Sequence, residues 1–185
     1  MAAPYDIRII GDPVLRRRAA AVADVDATLV RIVEGMVETM HAAEGVGLAA
    51  PQIGVQKRLF VWDLGDGPRA IVNPQIVESD GEWVYDEGCL SVPGLSWEIV
   101  RPKQVHVIGR DLDGNEVSVE ADEIEARLFQ HELDHLDGTL LIERLDEATR
   151  KAALRTLREL GIGSGSTAMR PSGAGDATST GLRLL

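Results

Sequence analysis

Cysteine is almost missing from this chain: Cys89 is the only one in 185 residues. An intrachain disulfide is therefore impossible, and a lone free thiol points to a reducing compartment. Long apolar runs are missing too, with nothing near the ~18 consecutive apolar residues of a membrane-spanning helix. The opening Met-Ala-Ala-Pro-Tyr-Asp has no basic region followed by an apolar core, so it does not read as a secretory leader. A cytoplasmic protein without membrane association is expected. Basic residues are scarce, 19 Lys and Arg against 30 Asp and Glu, for a net charge of −11. A chain of that sign is not suited to wrapping nucleic acid, and no specific DNA partner is expected. The deficit is uneven: residues 144–185 hold 7 basic and 4 acidic residues, so an acidic body leads into a mildly basic end.

What is present suits one domain with an ordinary core, 44% hydrophobic and 26% charged. Asp12-Pro13 looks like a cap and first helical residue for a short helix through Arg18. A long helix is expected from Asp26 to about Ala43, because Leu29, Val33, Met36 and Met40 form one apolar stripe; Gly45 would supply a left-handed end. The small residues and proline of Gly45–Gln52 read as a loop or irregular extended segment. Strands are expected at Arg58–Asp63 and Arg69–Asn73, the second ending before Pro74, and more weakly at Ile76–Val84 and Ser96–Val100. Gln104–Gly109 and Glu116–Glu120 flank Asp113-Gly114, a hairpin signal. Asp122 and Glu125 have capping-box spacing for a helix to about Leu136, and Leu145–Leu160 is a third helix ended by Gly161. Helix, short strands, helix, helix, without βαβ alternation, predicts an α+β fold. Short, mostly antiparallel strands would pack around the middle helix, flanked by N- and C-terminal helices. Residues 1–161 would form a single catalytic domain, and the Gly-, Ser-, Thr- and Ala-rich residues 162–185 a flexible tail.

The chemistry concentrates in His131-Glu132-Leu133-Asp134-His135. Residues four apart share a helix face, so both imidazoles can reach one cation, and Ile124 and Leu128 extend that face as an inward stripe. Glu132 stands one residue round, where a carboxylate can reach metal-bound water without ligating. A third protein ligand is usual. His41, His106, a carboxylate and Cys89 are the candidates; Cys89 ranks first, since a metal would hold a turn thiol as thiolate.

Three segments, Gly45-Val46-Gly47-Leu48-Ala49-Ala50-Pro51-Gln52, Glu87-Gly88-Cys89-Leu90-Ser91 and His131-Glu132-Leu133-Asp134-His135, match the peptide deformylase motifs in order and spacing. The opening Ile9-Ile10-Gly11-Asp12-Pro13-Val14-Leu15 is also similar, and the resemblance runs from about Ile7 to Leu160. It implies a metallohydrolase that removes the formyl group from the N-terminal formyl-methionine of nascent polypeptides, by Glu-assisted attack of metal-bound water, releasing formate. The implied metal ligands are Cys89, His131 and His135, holding Fe²⁺ in many members, with Zn²⁺, Ni²⁺ or Co²⁺ also accommodated. Glu132 becomes the acid–base group, with the Gln52 amide and the Leu90 backbone N–H stabilising the oxyanion. N-formylmethionyl peptides would lie extended near Val46, Gly47 and Gly88, their methionine side chain against an apolar wall that includes Leu128. Some members carry a substrate-binding arginine after the second motif, where this chain has Gly94-Leu95-Ser96-Trp97. Lys151, Arg155 and Arg158 share one face of the 145–160 helix, a candidate contact with the ribosome. A zinc endopeptidase would share the histidines and Glu132 but give no reason for Cys89 or Gln52.

Overall fold

The computed structural model describes residues 3–163 and 167–171. The long N-terminal helix forms as α1 (Ala27–Ala42). The Asp26 carboxylate accepts from the Leu29 N–H at 2.7 Å, and the whole Leu29, Val33, Met36, Met40 stripe is buried. Glu44, not Gly45, takes the left-handed conformation after it.

The chain opens with β1 (Ile7–Arg8) and a 3₁₀ turn, Pro13–Arg16, which Asp12 caps and which ends short of Arg18. Seven strands follow α1. They are β2 (Gly47–Ala49), β3 (Leu59–Trp62), β4 (Arg69–Asp80), β5 (Trp83–Cys89), β6 (Val92–Arg101), β7 (Gln104–Arg110) and β8 (Glu116–Asp122). An antiparallel sheet runs in the order β2-β3-β4-β7-β8, and β5 and β6 pair as a separate ribbon. Then come α2 (Glu123–Asp137), a 3₁₀ turn, and α3 (Glu147–Glu159). The fold is α+β, as the element order predicts.

β3 explains how the layers stack. All four of its residues are buried: Phe60 and Trp62 face α2 and pack on Phe129, while Leu59 and Val61 join the α1 stripe. A strand covered on both faces is continuously apolar. The sheet thus lies between two helices, and α2 runs through the middle of the molecule with eleven buried residues from Ala126 to Leu136.

Several boundaries differ from expectation. β4 does not stop at Pro74, because the register with β7 slips between Val72 and Gln75, where no ladder N–H is required. Asn73 adopts φ 52° there and ties its amide to both backbone groups of Val22. The segment after Gly45 is β2 followed by a 3₁₀ turn, Ala50–Ile53. Glu125 makes no capping box; it accepts from the Trp62 indole N–H at 3.2 Å, while Asp122 accepts from the Glu123 N–H. α3 starts after Asp146, whose carboxylate accepts from the N–H groups of Ala148 and Thr149.

Among the described residues no helix is long and apolar enough to cross a membrane. Of the tail expected over 162–185, residues 164–166 and 172–185 lie outside the described residues. Residues 167–171 are described, and Ala168–Met169 forms β9, antiparallel to β1.

Candidate metal centre and active site

α2 carries Leu128, His131 and His135 inward on one face, and β5 delivers Cys89 at its C-terminal end. Cys89 Sγ lies 3.2 Å from His135 Nε2. The ligand atoms of Cys89, His131 and His135 fall within 4.8 Å of one another, all three residues buried. The other histidines are elsewhere. His41 Nε2 lies 3.0 Å from Asp63 Oδ2, and His106 Nε2 lies 2.6 Å from Ser118 Oγ.

Glu87 is the residue that motif reasoning passed over. It is fully buried, and its carboxylate accepts from His131 Nδ1 at 2.7 Å, from Arg101 at 2.7 and 2.9 Å, and from Arg127 at 2.7 Å. Burial opposes its ionisation, but Arg101 and His131 hold it far below the usual carboxylate range. The network extends from Arg101 to Asp134 at 3.0 Å and on to Arg144. Arg127 also lies over the rings of Trp83 and Tyr85. A carboxylate on Nδ1 leaves Nε2 of His131 as the atom facing the cluster, which is how an outer carboxylate orients a ligating imidazole.

The glycines of the first motif make room. A Cβ on Gly47 would come within 2.5 Å of Glu132 Oε1, and one on Gly45 within 2.8 Å of the Leu90 side chain. Glu132 therefore lies against bare backbone, with Leu128 beside it. Gln52 is oriented by Ala49: its Oε1 accepts that N–H at 2.8 Å, so the amide Nε2 points at Ser91 Oγ (3.2 Å) and Cys89 Sγ (3.9 Å). Leu90 and Ser91 form the two-residue turn of the β5–β6 ribbon, and the Ser91 N–H donates to Cys89 Sγ at 3.4 Å.

The structure thus gathers Gly47, Gln52, Cys89, Leu90, Leu128, His131, Glu132 and His135 around one point. Val46 packs, half-buried, against the same core; its carbonyl accepts from the Asp63 N–H. Gly88 lies in β5 opposite Ser96. Trp97 packs beside the Cys89 cluster.

The residues fit a divalent cation. Among the described residues, His131 Nε2 and both Glu132 oxygens are buried without a hydrogen-bond partner, and His135 turns its Nε2 toward Cys89 Sγ. Orphaned buried polar atoms are rare unless something else satisfies them. Burial would raise the Cys89 thiol, but His135 and His131 bring it down to about 5. Burial lowers His131, yet Cys89 and Glu87 pull it well above its usual range, so a cation would displace a proton there. Burial lifts Glu132 to about 7, against the pull of both imidazoles. A thiolate with two imidazoles suits Fe²⁺, Zn²⁺, Co²⁺ or Ni²⁺ and not Mg²⁺ or Ca²⁺.

Comparison with known proteins points the same way. Residues 4–151 match the family described as polypeptide deformylase. Peptide deformylase of Agathobacter rectalis is 46% identical over 153 residues, covering 83% of this chain and 97% of that protein. The Thermotoga maritima enzyme is 46% identical over 157 residues, 84% of this chain and 96% of its own. Among solved structures, peptide deformylase from Thermus thermophilus superposes with a TM-score of 0.80 at 45% identity, covering 84% of this chain and 93% of that one. The Synechococcus elongatus enzyme, in complex with actinonin, gives 0.81 at 38% identity, covering 86% and 87%.

Proposed function

The chain belongs to the peptide deformylase family, and from that premise we propose that it removes the formyl group from the N-terminal formyl-methionine of nascent polypeptides. The convergence of Cys89, His131 and His135 beside a buried, unpartnered Glu132 carries this reading. These three would hold one divalent cation, Fe²⁺ first among the suitable ions. When bound, such a cation supplies a site where water is acidified and a carbonyl polarised.

The chain's own groups do the rest. Glu132, lifted toward neutrality, is matched to accept a proton from the attacking water near pH 7. As the water oxygen bonds to the formyl carbon, the carbonyl oxygen becomes an oxyanion, which the Gln52 amide and the Leu90 N–H stabilise. The carbon–nitrogen bond then breaks, Glu132 passes its proton to the departing amine, and formate and a free amino terminus leave. Removing one oxyanion donor should cost about a hundredfold or more in rate. Val46, Gly47 and Gly88 would pair with an extended peptide, and Leu128 would wall the methionine side chain. On this reading residues 1–161 form the catalytic domain and act in the cytoplasm.

Formate release from formyl-Met-Ala-Ser by anaerobically purified protein, together with metal analysis, tests the assignment. Cleavage of an internal peptide bond instead would favour a zinc endopeptidase. The basic face of α3 is our proposed ribosome contact. Lys151 already pairs with Glu147 at 2.6 Å, so Arg155 and Arg158 are the stronger candidates. Reversing all three to Glu should weaken ribosome co-sedimentation, and unchanged binding would remove the proposal.

A further inference from the structure

Residues 162–163 and 167–171 follow the segment shared with the family, yet they return to its beginning. Gly163, at φ 83°, lies on Gly11, at φ 108°. A Cβ on Gly163 would come within 2.5 Å of the Ile10 carbonyl oxygen, and one on Gly11 within 2.6 Å of the Gly163 oxygen. Ile162 packs into the cluster that contains Cys89 and Val92. The Ile9 N–H donates to the Thr167 carbonyl at 2.9 Å, β9 pairs with β1, and Arg170 Nε donates to Asp6 Oδ1 at 2.7 Å. The gripped segment also faces the site: the Ile10 N–H donates to the Ser91 carbonyl at 2.8 Å. Ser91 in turn accepts from Gln52 and donates to Cys89 Sγ. One short stretch of backbone is thus held by the C-terminal residues on one side and holds the Leu90–Ser91 turn on the other.

We propose that residues 162–163 and 167–171 form a clasp that positions the Leu90–Ser91 turn for deformylation, with Gly163 as its positioning residue. The proposal deepens the deformylase reading and rests on it. Only glycine fits at Gly163, because the approach to Ile10 leaves no space and the backbone lies where side chains are rarely tolerated. A 1 Å displacement of groups that meet the reacting atoms lowers rate far more than it lowers affinity.

The test uses the full chain carrying Gly163→Val, read first by amide hydrogen exchange without substrate. Exchange at Ile10 and Ser91 should accelerate about tenfold or more as the local opening becomes easier. With bound metal retained, kcat on formyl-Met-Ala-Ser should fall about tenfold while KM stays within about twofold. Gly65→Ala, also at a positive φ (109°) but with nothing within 4 Å, should change neither. Asp6→Lys and Arg170→Glu, a gentler pair, should each speed Ile10 exchange about threefold, and the double variant should restore it. Unchanged Ile10 and Ser91 exchange in Gly163→Val overturns the clasp, as does faster exchange with an unaltered kcat. If the parent protein releases no formate, the deformylase reading fails separately, since exchange is measured without turnover.

Discussion

Glu132 has two oxygens, and among the described residues neither has a hydrogen-bond partner, although the side chain is fully buried. A buried carboxylate in that condition contributes nothing to stability. Its position against Gly47 is intelligible only if something else occupies the site. Glu132→Ala should therefore keep metal and fold while losing about 10²–10⁴ in kcat, measured by formate release beside metal analysis. Retained full activity would refute its role. Glu87 makes the opposite case, with every contact filled. Glu87→Ala frees His131 Nδ1 and leaves Arg101 and Arg127 buried without their shared anion. Metal affinity should drop about 10–100-fold, seen by competition with a chelator. These two residues also mark what was legible. His131 and His135 stand out because i, i+4 spacing is a local property of a helix. Gln52 and Leu90 were reachable only through the three-motif resemblance. The local signal for Glu87 is the alternation of β5, which places Glu87 and Cys89 on the same buried side, with Val84 and Asp86 facing out. Arg101 and Arg127 had none, because only tertiary packing distinguishes a buried paired arginine from a surface one.

At the scale of elements, two helices carry the same sequence signature at their start, an aspartate before the apolar periodicity. The structure separates them. Asp26 reaches the Leu29 N–H, three residues on, as a capping side chain should. Within its helix Asp122 reaches no further than the adjacent Glu123 N–H, its other oxygen accepting from the Gln104 amide at 3.5 Å, and Glu123 itself adopts φ 47°. Asp26→Ala should cost about 1 kcal/mol in urea unfolding, and Asp122→Ala measurably less. Equal losses would contradict the geometric distinction. The same limit runs through the fold. Local pattern located α1, β3, the β7–β8 hairpin and α2 within a residue or two, through the apolar stripes of the helices, the apolar run of β3 and the Asp113-Gly114 turn of the hairpin. It broke β4 at Pro74, since the local rule for proline cannot foresee a register slip supplied by a partner strand. It assigned Glu125 to a cap because spacing alone cannot show that Trp62, more than sixty residues away, takes that carboxylate.

The molecule as a whole joins its halves through the site. Cys89 belongs to the cluster around Ile10, Leu15, Val92, Ile99 and Leu157, while the histidines belong to α2 beneath the sheet. A cation held by both would fasten the β5–β6 ribbon and the N-terminal segment to the central helix, and would bind the folded chain alone. Its effect on stability then follows mass action: at a free metal concentration about 100 times Kd the folded state gains about 2.7 kcal/mol. For a chain of this length each kcal/mol moves Tm by about 2–4 °C, so the expected rise is about 5–11 °C. The ligand variants divide the effect. Glu132→Ala should show the full rise, because Glu132 does not ligate in this reading. Cys89→Ser should lose most of it, because the thiolate is the only ligand from the ribbon side. Calorimetry of apo and Co²⁺- or Ni²⁺-loaded protein, run for the parent and both variants, measures all three. A parent Tm indifferent to the metal would mean that Cys89, His131 and His135 do not hold it together.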